Sequence, residues 1–212
     1  MSTVVDVRTD PAAGIDRALA AVQAGECIVL PTDTVYGIGA DALNAAAVQG
    51  LLEAKQRGRD MPPPVLIAES AMLRSLAASV SDDAQALAEA FWPGALTLVV
   101  ASHPTLRMDL GDRGETIAVR IPDHAFTREL LRATGPLAVS SANVSGQPAA
   151  TSISGARKQL KSSVAVYLNA GRSSGPVPST IVDLSGAAPR ILREGRITRA
   201  ELGAVVKALA EG

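Results

Sequence analysis

Thr116-Ile117-Ala118-Val119-Arg120-Ile121 is a short run of branched and small apolar residues with one arginine near its end. An amphipathic segment over residues 123–133 follows, then a second apolar run over 137–140, so the stretch predicts strand, helix, strand. Arg120 is its informative residue. In a strand otherwise made of Ile, Ala and Val, an arginine points into a cleft or meets a carboxylate, because a buried unpaired charge is too costly.

The same interleaving extends both ways. Residues 11–24 read as a helix, with Ile15, Leu19 and Val22 at spacings near 3.6 and Gly25 as the stop. Residues 27–30 are a buried strand, 41–55 a helix with Asp41 as its N-cap, and 64–68 another strand. The helix over 81–91, capped by Ser81 or Asp82, stops at Trp92-Pro93-Gly94 and leads into a strand over 95–101. Beyond residue 140 come a weak helix over 152–160, strands over 164–168, 180–184 and 190–193, and a closing helix over 198–210. The series is not a strict βαβ alternation. It predicts an α/β fold, a twisted mixed β-sheet flanked by helices, rather than a barrel or a Rossmann sheet. No internal repeat appears, and the loose stretches at 58–63, 108–115 and 171–178 have the length of active-site loops. The expectation is one domain over residues 1–212, with a core over about 15–196.

Composition narrows the function classes. A chain of 212 residues with 47% hydrophobic content buries roughly 70% of its unfolded surface without help from disulfides or metals. Cys27 is the single cysteine, so no intramolecular disulfide and no Cys-rich zinc site forms; it reads as a packed core thiol. No basic segment followed by an apolar run marks a signal peptide, and no run reaches the roughly 18–20 apolar residues of a membrane span. A cytoplasmic protein is expected. Twenty basic residues stand against 21 acidic ones, a formal charge of −1, and that balance argues against tight nonspecific RNA binding.

The familiar catalytic signatures are missing. There is no Gly-x-x-x-x-Gly-Lys-Ser/Thr loop, Gly37-Ile38-Gly39 does not continue into a dinucleotide fingerprint, and there is no His-Glu-x-x-His or Gly-x-Ser-x-Gly. The two histidines, His103 and His124, read as turn or surface residues, so a Ser-His-Asp hydrolase is not expected.

Four polar clusters sit where apolar strands end. Leu30-Pro31-Thr32-Asp33-Thr34-Val35-Tyr36-Gly37 is either a capped turn or a ligand loop that a backbone at Gly37 approaches closely. Lys55-Gln56-Arg57-Gly58-Arg59-Asp60 carries cations off a helix end, where they either answer the helix dipole or hold a triphosphate. Ser140-Ser141-Ala142-Asn143-Val144-Ser145-Gly146 offers hydroxyls and an amide to an anion, or is a decorated turn. Ser179-Thr180 pairs with Arg193 on the last two strands, and Arg120 belongs with them as a cleft residue or a structural ion pair.

Together and in order, Pro31-Thr32-Asp33-Thr34-Val35-Tyr36-Gly37, Lys55-x-Arg57, Trp92-Pro93-Gly94-x-x-Thr97, Ala118-Val119-Arg120-Ile121-Pro122, Ser141-Ala142-Asn143-x-Ser145-Gly146, Ser179-Thr180-Ile181-Val182-Asp183 and Arg193-x-Gly195 resemble the YrdC-like family, the threonylcarbamoyl-AMP synthases. The resemblance runs from about Gly25 to Gly195. It implies a YrdC-like fold with a concave electropositive cleft. It also implies L-threonine-binding roles for Thr32, Arg120, Val139 and Ser179, with Arg120 on the amino acid's carboxylate. For ATP it implies Lys55, Arg57, Met61, Thr116, Ser141, Asn143 and Arg193, with Lys55 and Arg57 catalytic. Gly58 stands where the family usually has proline, and Leu66 where long members have histidine. Met61 replaces a common lysine or asparagine, so a nucleotide contact there falls to its backbone. Long members carry a second, C-terminal domain; the expectation here is the single-domain form.

The implied activity joins L-threonine, bicarbonate or CO2, and ATP into threonylcarbamoyl-AMP and pyrophosphate, for N6-threonylcarbamoyladenosine in tRNA. It needs no enzyme nucleophile and no protein metal site; Mg2+ is expected to arrive with ATP. The partners implied are downstream tRNA threonylcarbamoyl-transfer proteins, with weak RNA binding besides and no membrane. Two other classes compete: a double-stranded RNA-binding or ribosome-maturation module without chemistry, and a carbamoyl-transfer or sugar-phosphate enzyme on a similar scaffold. Scarce aromatic residues disfavour the first.

Overall fold

The computed structural model describes residues 2–112 and 114–210. Its strands are β1 (Thr3–Asp6), β2 (Ile28–Leu30), β3 (Gly37–Asp41), β4 (Val65–Leu66), β5 (Leu96–Ala101), β6 (Thr116–Arg120), β7 (Leu137–Ser141), β8 (Val166–Asn169), β9 (Thr180–Asp183) and β10 (Arg190–Arg193). They form one mixed sheet in the order β1-β8-β2-β3-β7-β4-β6-β5-β9-β10. The helices are α1 (Pro11–Gln23), α2 (Ala45–Ala54), α3 (Leu73–Leu76), α4 (Asp82–Phe91), α5 (Ala125–Thr134), α6 (Ile153–Leu160) and α7 (Arg199–Val205). No helix among the described residues is long and apolar enough to cross a membrane.

Side-chain alternation along the strands decides what each face carries. On one face, Val29, Ile38, Ala40 and Tyr167 pack against α2 and α6. Val65, Ile117 and Val119 pack with Leu73 and Leu76 of α3, and Leu96, Leu98 and Val182 pack under α4 and α7. That face is covered from β8 to β9, while Val4 on the edge strand β1 stays exposed. On the other face, Ile28, Leu30, Leu137, Val139, Val166 and Leu168 pack against Ala18 and Val22 of α1 and Phe126, Leu130 and Leu131 of α5. Those two helices stop short of β6, β5, β9 and β10. The burial of β6 shows the result: Ile117 and Val119 are buried, while Thr116 and Ala118 on the uncovered side are half-buried.

Helix ends follow local chemistry. The Ser81 side chain accepts from Ala84 N (3.2 Å), and Gly25 takes the left-handed φ of 75° after α1, both as the sequence predicts. The cap of α2 is a correction. Asn44, not Asp41, accepts from Ala46 N and Ala47 N at 3.1 and 3.2 Å. Asp41 instead ends β3 opposite Leu137 and accepts from Leu43 N (2.9 Å). The strands β1 and β3 and the short helical turns over 70–76 are further elements the periodicity did not predict. The expected helix over 198–210 also divides. It turns at Val206 (φ −124°, ψ 101°) and resumes as a 3-10 turn at Lys207–Leu209, which buries Val206 and Leu209 against Leu202.

Candidate active site

The uncovered half of the sheet face holds a cavity of about 520 Å³. Its floor is Thr97 and Val99 of β5, Thr116, Ala118 and Arg120 of β6, Ile181 of β9 and Arg193 of β10. The registers Leu66↔Arg120, Val99↔Ala118 and Thr97↔Ile181 put these side chains on one face. Pro62, Pro63 and Pro64 wall one side and Pro176 and Pro178 another. Among the described lining residues there are three arginines and no carboxylate or aromatic ring.

Arg120 is 6% exposed and anchors one end. Its Nε donates to Gly94 O (2.9 Å), Nη1 to Thr34 Oγ1 (3.1 Å) and Nη2 to Asp33 Oδ1 (2.6 Å). A guanidinium has five N–H groups, so one hydrogen on each Nη stays available to a second anion. Burial pushes its pKa down; Asp33 opposes that, and Arg193 and Arg196 add to it. Beside it, Thr32 Oγ1 donates to Val35 O (2.7 Å) and accepts from Thr34 N (3.1 Å), a self-satisfied turn. The loop over 171–178 is tied to this end. Ser174 Oγ and Arg196 Nη1 both donate to Asp33 O, at 2.7 and 2.9 Å, and Tyr36 Oη donates to Gly171 O (2.7 Å).

Ser179 sits between strands, with its Oγ 2.9 Å from Thr97 Oγ1. Arg193 grips the Ser179 carbonyl through Nε and Nη2, at 3.1 and 2.7 Å. This hold needs Gly195, where a Cβ would lie 2.4 Å from Pro178 O.

Lys55 and Arg57 leave α2 together and part company. Gln56 takes φ 51°, a left-handed turn that aims its neighbours differently. Lys55 turns inward and is 2% exposed. Its Nζ donates to the carbonyls of Ser141 and Asn143 (2.8 Å to the latter), and its own carbonyl accepts from Ser145 N (2.8 Å). Burial, then the nearby Arg57 charge, lowers its pKa to about 8. Arg57 turns to the cavity, where Nη1 donates to Ser140 Oγ (3.0 Å) and the buried Nε has no partner among the described residues. Burial lowers the pKa of Arg193 too, with Arg57 the second cause, so the two guanidiniums feel each other across the cavity.

The cavity therefore gathers Thr32, Arg57, Thr116, Arg120, Val139, Ser141, Asn143, Ser179 and Arg193. Two expected site residues stand apart. Lys55 lies behind the wall, bonded to the 141–145 loop, and Met61 is 46% exposed beside the lining prolines.

A family model named Sua5_yciO_yrdC, described as telomere recombination, matches residues 20–195. The chain belongs to the Sua5/YciO/YrdC family. It is 53% identical over 195 residues to a Mycobacterium leprae protein provisionally named threonylcarbamoyl-AMP synthase, covering 92% of this chain and 89% of that one. It is 37% identical over 194 residues to the threonylcarbamoyl-AMP synthase of Bacillus subtilis, covering 91% of this chain and 56% of that protein. Among solved structures, Pyrococcus abyssi Sua5 complexed with L-threonine superposes with TM-score 0.90 at 33% identity, covering 97% of this chain and 61% of the archaeal one. The chain thus spans somewhat more than half the length of those two longer relatives.

Within this family fold, several residues that build the site were not singled out from the sequence as binding residues: Asp33, Thr34, Ser140 and the Gly94 carbonyl. Half of the signal for Asp33 was present, since an arginine in an apolar strand enters a cleft or meets a carboxylate, but nothing in the sequence names Asp33 as that carboxylate. As for a metal, no group of three His, Cys, Asp or Glu among the described residues suits one. The lining offers only neutral oxygens, which fit a Mg2+ that brings phosphates and water with it and provide no cage.

Proposed function

We propose that this chain is a threonylcarbamoyl-AMP synthase, making threonylcarbamoyl-AMP and pyrophosphate from L-threonine, bicarbonate or CO2, and ATP for N6-threonylcarbamoyladenosine in tRNA. One observation carries the assignment of substrates to this cavity: three arginines, of which Arg120 is paired with Asp33 outside the lining, face a pocket with no carboxylate among its described lining residues, and two guanidinium hydrogens of Arg120 remain beside hydroxyls at one end. Such an electropositive cleft suits a carboxylate at Arg120 and a polyphosphate at Arg57 and Arg193.

In this reading Arg120 takes the threonine carboxylate, with Thr32, Val139 and Ser179 around the rest of the amino acid. The neutral threonine amine attacks the carbon of CO2; the C–N bond forms as one C=O π pair moves onto oxygen, and the nitrogen releases a proton to solvent water, leaving the carbamate. The resulting carbamate oxygen attacks the α-phosphorus of ATP; the bond to the β-phosphate oxygen breaks and pyrophosphate leaves. Arg57 and Arg193 hold the phosphates, while Thr116 and Ser141 supply neutral donors. When Mg2+ is bound with the nucleotide it adds charge neutralisation at the phosphates. The protein's own work is positioning and stabilising the leaving charge. A mixed anhydride of this kind is labile, so a transferase acting on tRNA adenosine consumes it.

Threonine-dependent pyrophosphate release from ATP tests the proposal. Arg57→Ala should lower kcat/KM by roughly 10²–10³-fold. No threonine requirement in the unmodified protein, or an Arg57→Ala rate within a few-fold of it, would sink the assignment.

A further inference from the structure

Arg196 does not line the substrate cavity, yet it touches both segments that shape the cavity's Arg120 end. Residues 171–178 form a strap that runs from the end of β8 to Ser179. The strap is pinned at its start, where Tyr36 Oη accepts from Ala170 N (2.9 Å) and donates to Gly171 O (2.7 Å), and Ser173 N donates to Thr151 O (2.9 Å). Past Ser173 its ties are few. Ser174 Oγ donates to Asp33 O (2.7 Å), and Arg196 Nη1 donates both to that carbonyl (2.9 Å) and to Ser174 Oγ (2.8 Å). Arg196 N also donates to Pro178 O (3.0 Å). Asp33 is thus held twice: Arg196 and Ser174 grip its carbonyl, and Arg120 grips its carboxylate (2.6 Å). The two grips belong to different cavities. Arg120, Pro176 and Pro178 line the one described above, whereas Arg196, Ser174 and Asp33 line a second, of about 690 Å³, that shares Thr32 with the first.

Arg196 is exposed, and none of residues 174–178 is buried. Apolar packing therefore does not press this half of the strap down, and exposed hydrogen bonds of this kind open at little cost to the whole fold. Opening here lifts Pro176 and Pro178 away from the cavity and frees the Asp33 backbone, whose side chain orients Arg120. We infer that Arg196 is a positioning residue for the amino acid: it latches the 174–178 strap to the Asp33 turn, so that the proline wall and the Arg120–Asp33 pair meet L-threonine as one unit. The inference rests on the reading of the Arg120 end as the threonine site. It gives a role to a cation that touches no substrate, and it couples strap closure to the amino acid rather than to the nucleotide. The latched strap is the binding-competent state, so a variant that populates it less binds threonine more weakly in proportion.

Calorimetric titration of the full chain with L-threonine and, separately, with ATP tests it, beside limited trypsin digestion read at Arg172 by mass spectrometry. Arg196→Ala should bind L-threonine about 3–10-fold more weakly and ATP within about twofold of the unmodified protein. Arg196→Lys keeps a donor for both oxygens and should recover most of the loss. Ser174→Ala should weaken threonine binding too, and the double variant should lose less than the two separate losses combined, because both break the same latch. In the unmodified protein, saturating L-threonine should slow cleavage after Arg172 at least about threefold, and ATP alone should not. Equal cleavage with and without threonine overturns the inference and needs no variant that folds. Threonine affinity of Arg196→Ala within about twofold of the unmodified protein, an equal loss for ATP, or full additivity of the two substitutions overturns it as well. Each of these results leaves threonine-dependent pyrophosphate release by the unmodified protein intact, whereas a failure of that protein to bind threonine at all ends both readings.

Discussion

Under α1 and α5, the side chains on one face of the sheet are Leu30, Leu137, Val166 and Leu168, all buried; a few strands along the same face they are Thr97, Val99, Thr116, Ala118 and Arg120. Backbone pairing continues unbroken from one half to the other. The difference lies in side-chain size and polarity and in whether a helix arrives. Where large aliphatic residues project, burial of apolar area holds two helices down. Where small and polar residues project, nothing is gained by covering them, and the sheet keeps a basin. The opposite face is mostly apolar under its helices, with Thr180 and Ser140 as buried polar exceptions, and it carries the core where this face is open.

The contrast would break most visibly at Arg120. Although it faces the basin, it behaves as a core residue: its side chain is 8% exposed and that of Asp33 14%, at 2.6 Å. Arg120→Leu leaves Asp33 buried without its cation and should cost about 3–5 kcal/mol in urea unfolding. Adding Asp33→Asn should recover part of that loss. A cost below about 1 kcal/mol would mean that the open half contributes no stability and serves only as a binding surface.

Lys55 sharpens the comparison from behind, as a charge buried where the covered half ends. Its folded pKa, about 8, lies below the ordinary lysine value of 10.5. Between these values the unfolded chain holds a proton the folded chain has released, so stability rises with pH across that window. The contribution is fully present above about pH 10.5 and is lost as pH falls toward 8. Relative to Lys55→Met, the unmodified protein should gain up to about 1.4 kcal/mol per pH unit there. A flat difference would show that hydrogen bonds to the two carbonyls keep the ammonium charged.

How far the sequence carried can be judged from particular residues. Arg120 was legible because one charge in an apolar strand has few explanations, and both offered explanations hold at once, cavity and carboxylate. Ser81 and Gly25 were legible as local caps. The strand Gly37–Asp41 was not, because two glycines and an aspartate carry no strand propensity. It forms because Gly39 lets Leu30 and Val139 pack from either side, a tertiary reason. Asp41 and Asn44 are both good caps three residues apart, and pairing of β3 with β7 chose between them. In the site, residue types were readable and directions were not. Lys55-x-Arg57 announces two cations, but the left-handed turn at Gln56 decides which one meets the cavity. Likewise, nothing in the sequence sets Arg196 against Ser174, 22 residues away.

The smallest predicted effect compares two modest enlargements, one in each half. A Cβ added at Gly39 would lie 2.9 Å from Leu30 Cδ2 and 3.3 Å from Val139 Cγ2. Leu30 is wholly buried and cannot change rotamer without disturbing Val166 and Leu168 beneath α1. Gly39→Ala should therefore cost about 1–3 kcal/mol through overpacking, with little specific effect on nucleotide affinity. Ala118→Val adds more volume but points into the basin, where no helix stands over it. It should shift stability by no more than about 0.5 kcal/mol while weakening threonine or ATP binding. Thermal unfolding beside titration separates the two outcomes. If Ala118→Val destabilised the fold as much as Gly39→Ala, the basin would be a packed part of the core, and the division of the sheet face into a covered and an open half would fail.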